Sequence, residues 1–188
     1  EDKNGTKVNT TYTPTIVGVT PTAQPAETTD VQGVEQSKEV TFKPGKATVN
    51  GVEKEVPIDT TSYKLLDENG QPAASVEAKS PEGKVIGTYT VDKETGVVTF
   101  TPNKDFTGTP DPAKVVAKDT NGTKVETTYT PTVTPVTPTG KPVTSEGKQG
   151  QEQTGKPVFT QGDETAPITI NEQQPAKFVV NGQPVEDK

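Results

Sequence analysis

The sequence predicts an all-β protein, an antiparallel β-sandwich repeat domain of about seven strands, in a tandem array with Pro- and Thr-rich linkers. Thr is the commonest residue, with 34 copies, and Val follows with 24, whereas Leu occurs twice. This composition favours pleated strands over helices. Apolar and polar residues alternate in short runs between Gly, Asn and Pro turns. A 24-residue phrase also occurs twice, 117 residues apart, which is the size of a domain.

Disorder is the competing interpretation of this composition. Leu, Ile, Val and Phe together form only 36 of the 188 residues, close to the level that is typical of unfolded chains. The net charge of −7 is low for the length, and the apolar residues in the middle of the chain alternate instead of scattering. Small β-domains with thin cores therefore fit the sequence better than disorder.

The repeated phrase is interpreted as the last strand of a domain followed by a tether. Its second copy, DTNGTKVETTYTPTVTPVTPTGKP, begins at Asp119 and matches the copy at Asp2 in 17 of 24 positions. The alternation predicts Val125, Thr127 and Tyr129 on one face of this strand. Four Pro residues within 131–142 predict that the chain then leaves the sheet and extends, because Pro donates no ladder hydrogen bond.

The repeat also predicts the domain boundaries. The last strand of a truncated preceding repeat is assigned to 1–18, a linker to 19–25, a complete sandwich to 26–138, a second linker to 139–156, and the truncated start of the next repeat to 157–188. We expect 139–188 to be loosely held, since it lacks the later strands of its domain. Segment 6–16 is a hypothetical donor to such an edge in another copy.

Strands in the complete repeat are predicted at 39–42, 48–56 (a hairpin turned at Asn50–Gly51), 62–67, 84–91, 96–101, 113–118 and 123–130. The hairpin closed by DKETG is expected to direct Tyr89, Val91, Val98 and Phe100 inward. The sequence DTNG between the last two strands predicts a type I′ turn, in which both central residues have positive φ.

Composition argues against an enzyme. The chain has no His, Cys, Met, Trp or Arg, which removes the usual nucleophile–base pairs, zinc sites and thiol chemistry. Paired carboxylates remain available, but only nine Phe and Tyr are present to build a cleft. The acidic charge and the lack of Arg argue against nucleic-acid binding. No apolar run is long enough to cross a membrane. The sequence thus predicts no catalytic residue, no cofactor and no metal site.

Three sharper possibilities were weighed against simpler ones. Asp-x-Asn-Gly at Asp2, Asp67 and Asp119 resembles the start of a calcium loop, but the later ligands are missing and a hairpin turn is the simpler interpretation. Asn4, Asn9 and Asn121 fit the glycosylation pattern, although turn and strand roles are the favoured interpretation. A Lys–Asn cross-link has the residues it needs, but nothing in the sequence pairs them.

Three stretches, 98–110, 117–151 and 155–168, resemble the CshA-type fibril repeat of cell-wall-anchored adhesins of Gram-positive cocci. The resemblance covers most of the chain. It implies a sandwich that is stacked many times into a surface fibril outside the cell, with a distinct non-repeat region at the far end that binds fibronectin and partner microbes. It carries over no catalytic residue.

Two functions remain open at this point. In the first, the repeat is a stalk unit that projects an adhesive head, and its partners are neighbouring repeats. In the second, the repeat is itself a binding module for host matrix glycoproteins such as fibronectin, through a sheet edge or loops. The first is favoured because binding hot spots favour Trp, Tyr and Arg, of which only Tyr is present.

Overall fold

The computed structural model describes residues 1–166, 168–171, 173–174, 176–181 and 183–185, with side chains as far as residue 183. Every regular element in these ranges is a strand. The strands are β1 (Thr22–Gln24), β2 (Ala26–Val31), β3 (Gln36–Glu39), β4 (Thr41–Lys43), β5 (Gly45–Val49), β6 (Val52–Val56), β7 (Lys64–Leu66), β8 (Pro72–Ala73), β9 (Ser75–Lys79), β10 (Val85–Val91), β11 (Val97–Pro102), β12 (Ala113–Lys118), β13 (Lys124–Thr134), β14 (Thr139–Lys141), β15 (Val158–Thr160), β16 (Phe178–Val180) and β17 (Gln183–Val185).

Two sheets pack face to face in the first repeat. One has five strands in the order β2-β13-β12-β7-β8, and the other has four in the order β3-β11-β10-β9. This confirms the all-β sandwich. The strands of the first repeat outnumber the predicted seven, in part because β2 and β8 have no clear apolar alternation and are held by their neighbours.

Aromatic rings form the centre of the core. Tyr89 lies between Phe100 at 5.1 Å and Tyr129 at 6.2 Å, measured between ring centroids, and the second contact joins the two sheets edge to face. Tyr89, Val91, Val98 and Phe100 are all buried, which confirms the inward face predicted for the β10–β11 hairpin. Edge-to-face aromatic pairs add specific stabilisation to the area that they bury.

The last strand of the sandwich departs from the prediction in two ways. β13 pairs in parallel with β2, from Tyr129 beside Ala26 to Thr134 beside Val31, so the sandwich is not purely antiparallel. β13 also continues through Pro131, which is fully buried, and the prediction that the chain leaves the sheet there was wrong.

The geometry of the strand explains why Pro131 is tolerated. The N–H and C=O groups of Val133 both bond Gly108, on the side away from β2, at 2.9 and 2.8 Å. Backbone groups two residues apart along a strand point the same way, so the nitrogen of Pro131 also faces away from β2. The β12–β13 ladder stops at the pair Ala113–Tyr129, so no ladder hydrogen bond is needed from Pro131.

The two predicted Asn–Gly hairpin turns are both present, but only one has positive φ at both central residues. Asn50 and Gly51 have φ of 53° and 78° and connect β5 to β6, as predicted. The DTNG turn is different. Gly122 has a positive φ of 88°, but the φ of Asn121 is not positive. It is the three-residue loop in which a left-handed Gly follows an ordinary turn.

The second repeat begins with a copy of the first. β14 pairs with β15 from Thr139–Thr160 to Lys141–Val158, and each of these positions lies 117 residues after its counterpart in the β1–β4 pair. β1 and β14 lie in the segments assigned to linkers, 19–25 and 139–156, whereas their partners β4 and β15 lie in the segments assigned to repeats. Residues 1–21 form no strand, so the strand assigned to 1–18 is not formed, because its sheet neighbours are not beside it.

Candidate functional site

Three hydrogen-bonded polar side chains join β2 and β13, the two terminal strands of the sandwich. The hydroxyl of Thr28 on β2 donates to Oε1 of Gln36 at 2.6 Å and lies 2.7 Å from the hydroxyl of Tyr129 on β13. Nε2 of Gln36 donates to the carbonyl of Thr132 at 3.0 Å. Gln36 is only 3% exposed and Tyr129 is 0% exposed, whereas Thr28 is half-buried, so these bonds are partly shielded from water. We call Thr28, Gln36 and Tyr129 the strand brace.

The tyrosines of the core are held in their neutral form. The hydroxyl of Tyr89 donates to the carbonyl of Asp111 at 2.9 Å. Burial raises the pKa of Tyr89 well above its ordinary value, with smaller effects from Tyr129 and Asp111. Burial also raises the pKa of Tyr129, against the opposing effect of its bond to Thr28. Both hydroxyls therefore act as structural groups and not as acids.

An open cleft of about 630 Å³ runs along the side of the sandwich where β8 and β9 are edge strands. Its wall includes Glu68, Glu77, Lys79, Lys114 and the ring of Tyr89. Lys79 and Glu68 form an ion pair across it. The volume is in the range of small-ligand sites, which however are lined mainly by apolar and aromatic groups. Among the lining residues only Tyr89 is aromatic, and its hydroxyl is already engaged.

The sheet edges carry charged residues. β3 presents Lys38 and Glu39 to solvent, and β9 presents Glu77. Charged side chains on edge strands oppose the addition of a further strand. This arrangement argues against recognition by strand addition at these two edges.

The Asp-x-Asn-Gly segments are turns in the structure. In each, Oδ1 of the Asp accepts the N–H groups two and four residues ahead, as Asp119 does from Asn121 at 2.9 Å and Thr123 at 2.8 Å. Asp67 and Asp2 do the same. The carboxylates are thus used to close loops, and among the described residues no group of three or more His, Cys, Asp or Glu is arranged to hold a metal ion.

Asp119 has an additional feature. It is 2% exposed, and its Oδ2 has no hydrogen-bond partner. Desolvation of such an oxygen costs free energy. Asn121 and Asn4 lie in exposed turns and Asn9 in an exposed segment without a strand. Glycosylation and the Lys–Asn cross-link remain the less favoured hypotheses from the sequence.

Sequence reasoning missed the strand brace. Thr28 and Gln36 lie in AETTDV and QSKE, which have no apolar alternation. One signal was available in the internal repeat, because Thr28 and Gln36 align with Ser145 and Gln153. The side chains of Ser145 and Gln153 are also hydrogen-bonded, at 2.8 Å.

Fold and site together define a β-sandwich module that is repeated in tandem and joined through its terminal strands. The sequence profile of the family described as surface adhesin CshA repetitive domain matches residues 18–133 and 135–188. The chain therefore belongs to this family. The two matches are consecutive and meet at residue 134, where β13 ends. A search of curated proteins finds no match.

Membership of this family makes the chain a surface-adhesin repeat and gives it neighbouring repeats along the chain. It also indicates an extracellular position at the cell surface and a structural class of protein rather than an enzyme family. In the described part of the chain, no helix has the length and apolarity to cross a membrane.

Proposed function

We propose that this chain is a stalk segment of a bacterial surface fibril, whose repeats project an adhesive head from a Gram-positive cell wall and perform no catalysis. The observation that carries the proposal is the repeated junction. β1–β4 and β14–β15 have the same register at a spacing of 117 residues, and only residues 135–138 lie between β13 and β14. A short connection that leads into a second copy of the same strand pair favours a regular array.

The junction is also tightly packed in both repeats. A Cβ on Gly45 would lie 2.7 Å from the carbonyl carbon of Thr20, and a Cβ on Gly162 would lie 2.7 Å from that of Thr137. Only Gly permits this approach of two backbones. The connecting residue Val136 further donates its N–H to Oε1 of Gln32 at 3.4 Å. These contacts limit the freedom of the connection, as a stalk requires. On this basis we place the repeat boundary near residue 134 instead of 138.

The alternative function, a binding module for host matrix glycoproteins such as fibronectin, is favoured by the cleft beside β8 and β9. Its size is adequate for a peptide side chain or a sugar ring. The shortage of aromatic groups in its lining and the charged edge strands oppose it, and the stalk function is therefore preferred.

Binding of the full chain to immobilised plasma and salivary glycoproteins tests the choice. The stalk function predicts no saturable binding above the level of an unrelated β-sandwich of the same charge. Saturable binding that is lost in Glu77→Arg, in the cleft, and kept in the matched variant Glu53→Arg, on the exposed β5–β6 hairpin, would establish the alternative.

A further inference from the structure

We propose that the parallel β2–β13 pair carries the mechanical load on the repeat. Tension along the fibril is resisted because it can separate these strands only by sliding one along the other, in shear. The inference rests on the proposed stalk function, because a stalk transmits force from one repeat to the next. The geometry that supports it belongs to the first repeat alone, so it is testable whether or not the stalk function holds.

The direction of the two strands determines how force acts on them. In a tandem array, tension reaches β2 through β1, which ends two residues before Ala26, and leaves the repeat after Thr134. Ala26 is paired with Tyr129 at one end of the ladder, and Val31 with Thr134 at the other. Because the strands are parallel, the two pulling points lie at opposite ends of the ladder. Tension therefore slides the strands along their common axis.

Sliding is harder than peeling for a physical reason. When parallel strands are pulled at opposite ends, the hydrogen bonds of the ladder share the load and must break together. An antiparallel pair of terminal strands would place both pulling points at one end, and its bonds would break one after another. The β2–β13 ladder has six residue pairs, against three in β1–β4, which is the other pair beside the pulling point.

The strand brace adds bonds to this ladder. Thr28 and Tyr129 link the side chains of the two strands, while Gln36 ties β13 to the opposite sheet. The hydroxyl of Thr134 also donates to the carbonyl of Asp30 at 3.1 Å. Gly108 holds β13 from its other side, so that β2 slides against a strand that is fixed within the sheet.

The inner face of the ladder is dry. Ala26, Tyr129, Pro131 and Val133 are buried, and water is thus kept from the core side of the ladder. The hydrogen-bonded pair Ser145–Gln153 occupies the equivalent positions 117 residues later. The Thr or Ser and the Gln of the strand brace therefore recur in the second repeat, although 143–148, the counterpart of β2, form no strand there.

Single-molecule pulling of the full chain tests the proposal. The chain has no Cys, so handles are attached through two introduced cysteines. Gln24→Cys with Thr137→Cys loads the ladder in shear. Gln24→Cys with Glu126→Cys has both handles at the same end and peels β2 from the sheet. Gln24, Glu126 and Thr137 are exposed.

At the same constant force, we expect unfolding to be at least about tenfold slower in shear than in peeling, since two or more additional hydrogen bonds must break together. Equal rates in the two geometries, or faster unfolding in shear, would overturn the proposal. This comparison uses the native ladder and needs no core substitution.

The strand brace is tested with Thr28→Val in the shear geometry. Loss of this half-buried hydroxyl should speed unfolding under load about tenfold, whereas Thr29→Val, on the exposed neighbour, should change it by less than about twofold. Thr28→Ser retains the hydroxyl, as Ser145 does, and should restore slow unfolding. Equal effects of Thr28→Val and Thr29→Val would contradict the role of the brace. If Thr28→Val does not fold, the test is the unfolding rate of Thr28→Ser under load. Because the brace depends on the hydroxyl, which Ser retains, this rate should differ from that of the native chain by less than about threefold.

Discussion

Substitution of Gly87 by Ala tests how closely the β10 and β11 strands are packed. Gly87 pairs with Pro102 on β11, beside an irregularity in the register of β10 with β9. A Cβ at this position would lie 2.5 Å from the carbonyl oxygen of Thr101 and 3.1 Å from Cα of Pro102. Both are backbone atoms, so relief of the clash requires displacement of a strand and not rotation of a side chain.

The expected cost is that of overpacking a core, about 1–3 kcal/mol of the free energy of unfolding. For a repeat of this size that corresponds to a decrease in Tm of about 4–12 °C. Urea and thermal unfolding of the full chain, followed by far-ultraviolet circular dichroism, measure both quantities. Far-ultraviolet detection suits a β protein with four Tyr and no Trp.

Gly18→Ala is the matched control. A Cβ on Gly18 meets no atom within 4 Å, and its substitution should change the free energy of unfolding by less than about 0.5 kcal/mol. If Gly87→Ala is no more destabilising than Gly18→Ala, then β10 does not approach β11 as closely as described, and the reasoning is refuted.

Three further predictions follow from the same contacts. Asp119→Ala should destabilise the repeat by about 1–3 kcal/mol because it leaves two turn amides unpaired, whereas Asp119→Asn keeps their acceptor and should destabilise it less. Denaturant titration measures the stability of both variants, and the opposite order would contradict the role of Oδ1 in closing the loop. The free energy of unfolding should fall as pH rises above about 10, by up to about 1.4 kcal/mol per pH unit for Tyr89. The unfolded chain loses the Tyr89 proton in this range, whereas burial keeps the proton on Tyr89 in the folded chain. Denaturant titrations between about pH 9 and 11 should show a shallower decline for Tyr89→Phe, and an unchanged slope would refute the role of Tyr89. In hydrogen exchange, the amides of Thr130, Thr132 and Thr134 should be strongly protected by β2, while 143–148, which align with β2 but form no strand, should exchange rapidly; similar rates in both segments would contradict the pairing.

The sequence was sufficient for the fold class and for the hairpins in which local signals agree. The β10–β11 hairpin combines strict alternation with a compact turn, and its inward residues Tyr89 and Phe100 are buried as predicted. The β5–β6 turn was likewise predictable, since Asn50–Gly51 is the residue pair that a type I′ turn needs.

The terminal strands could not be predicted in the same way, because their structure depends on partners distant in sequence. The phrase TTYTPT is written at both Tyr12 and Tyr129, yet Tyr12 is 89% exposed and Tyr129 is 0% exposed. Only the second copy has β12 and β2 beside it. Pro131 indicated a linker because Pro donates no backbone hydrogen bond. In the structure its nitrogen faces away from β2, so the parallel pairing needs no donor from it.

The strand brace illustrates the same limit for function. Thr28, Gln36 and Tyr129 are common polar residues in three separate segments, and the longest of their separations is 101 residues. No local pattern distinguishes them from exposed residues of the same types. The alignment of the two repeats was the available clue, since it retains Gln and exchanges Thr for Ser at the same spacing.

The stalk function is tested most directly by the length of the repeat array in solution. Chains with one, two and four tandem copies of residues 18–134 are compared by small-angle X-ray scattering under identical buffer conditions. A stalk predicts a maximum dimension that increases in proportion to the number of copies. A radius of gyration that instead follows the scaling of compact globular proteins, about the 0.38 power of chain length, would contradict it.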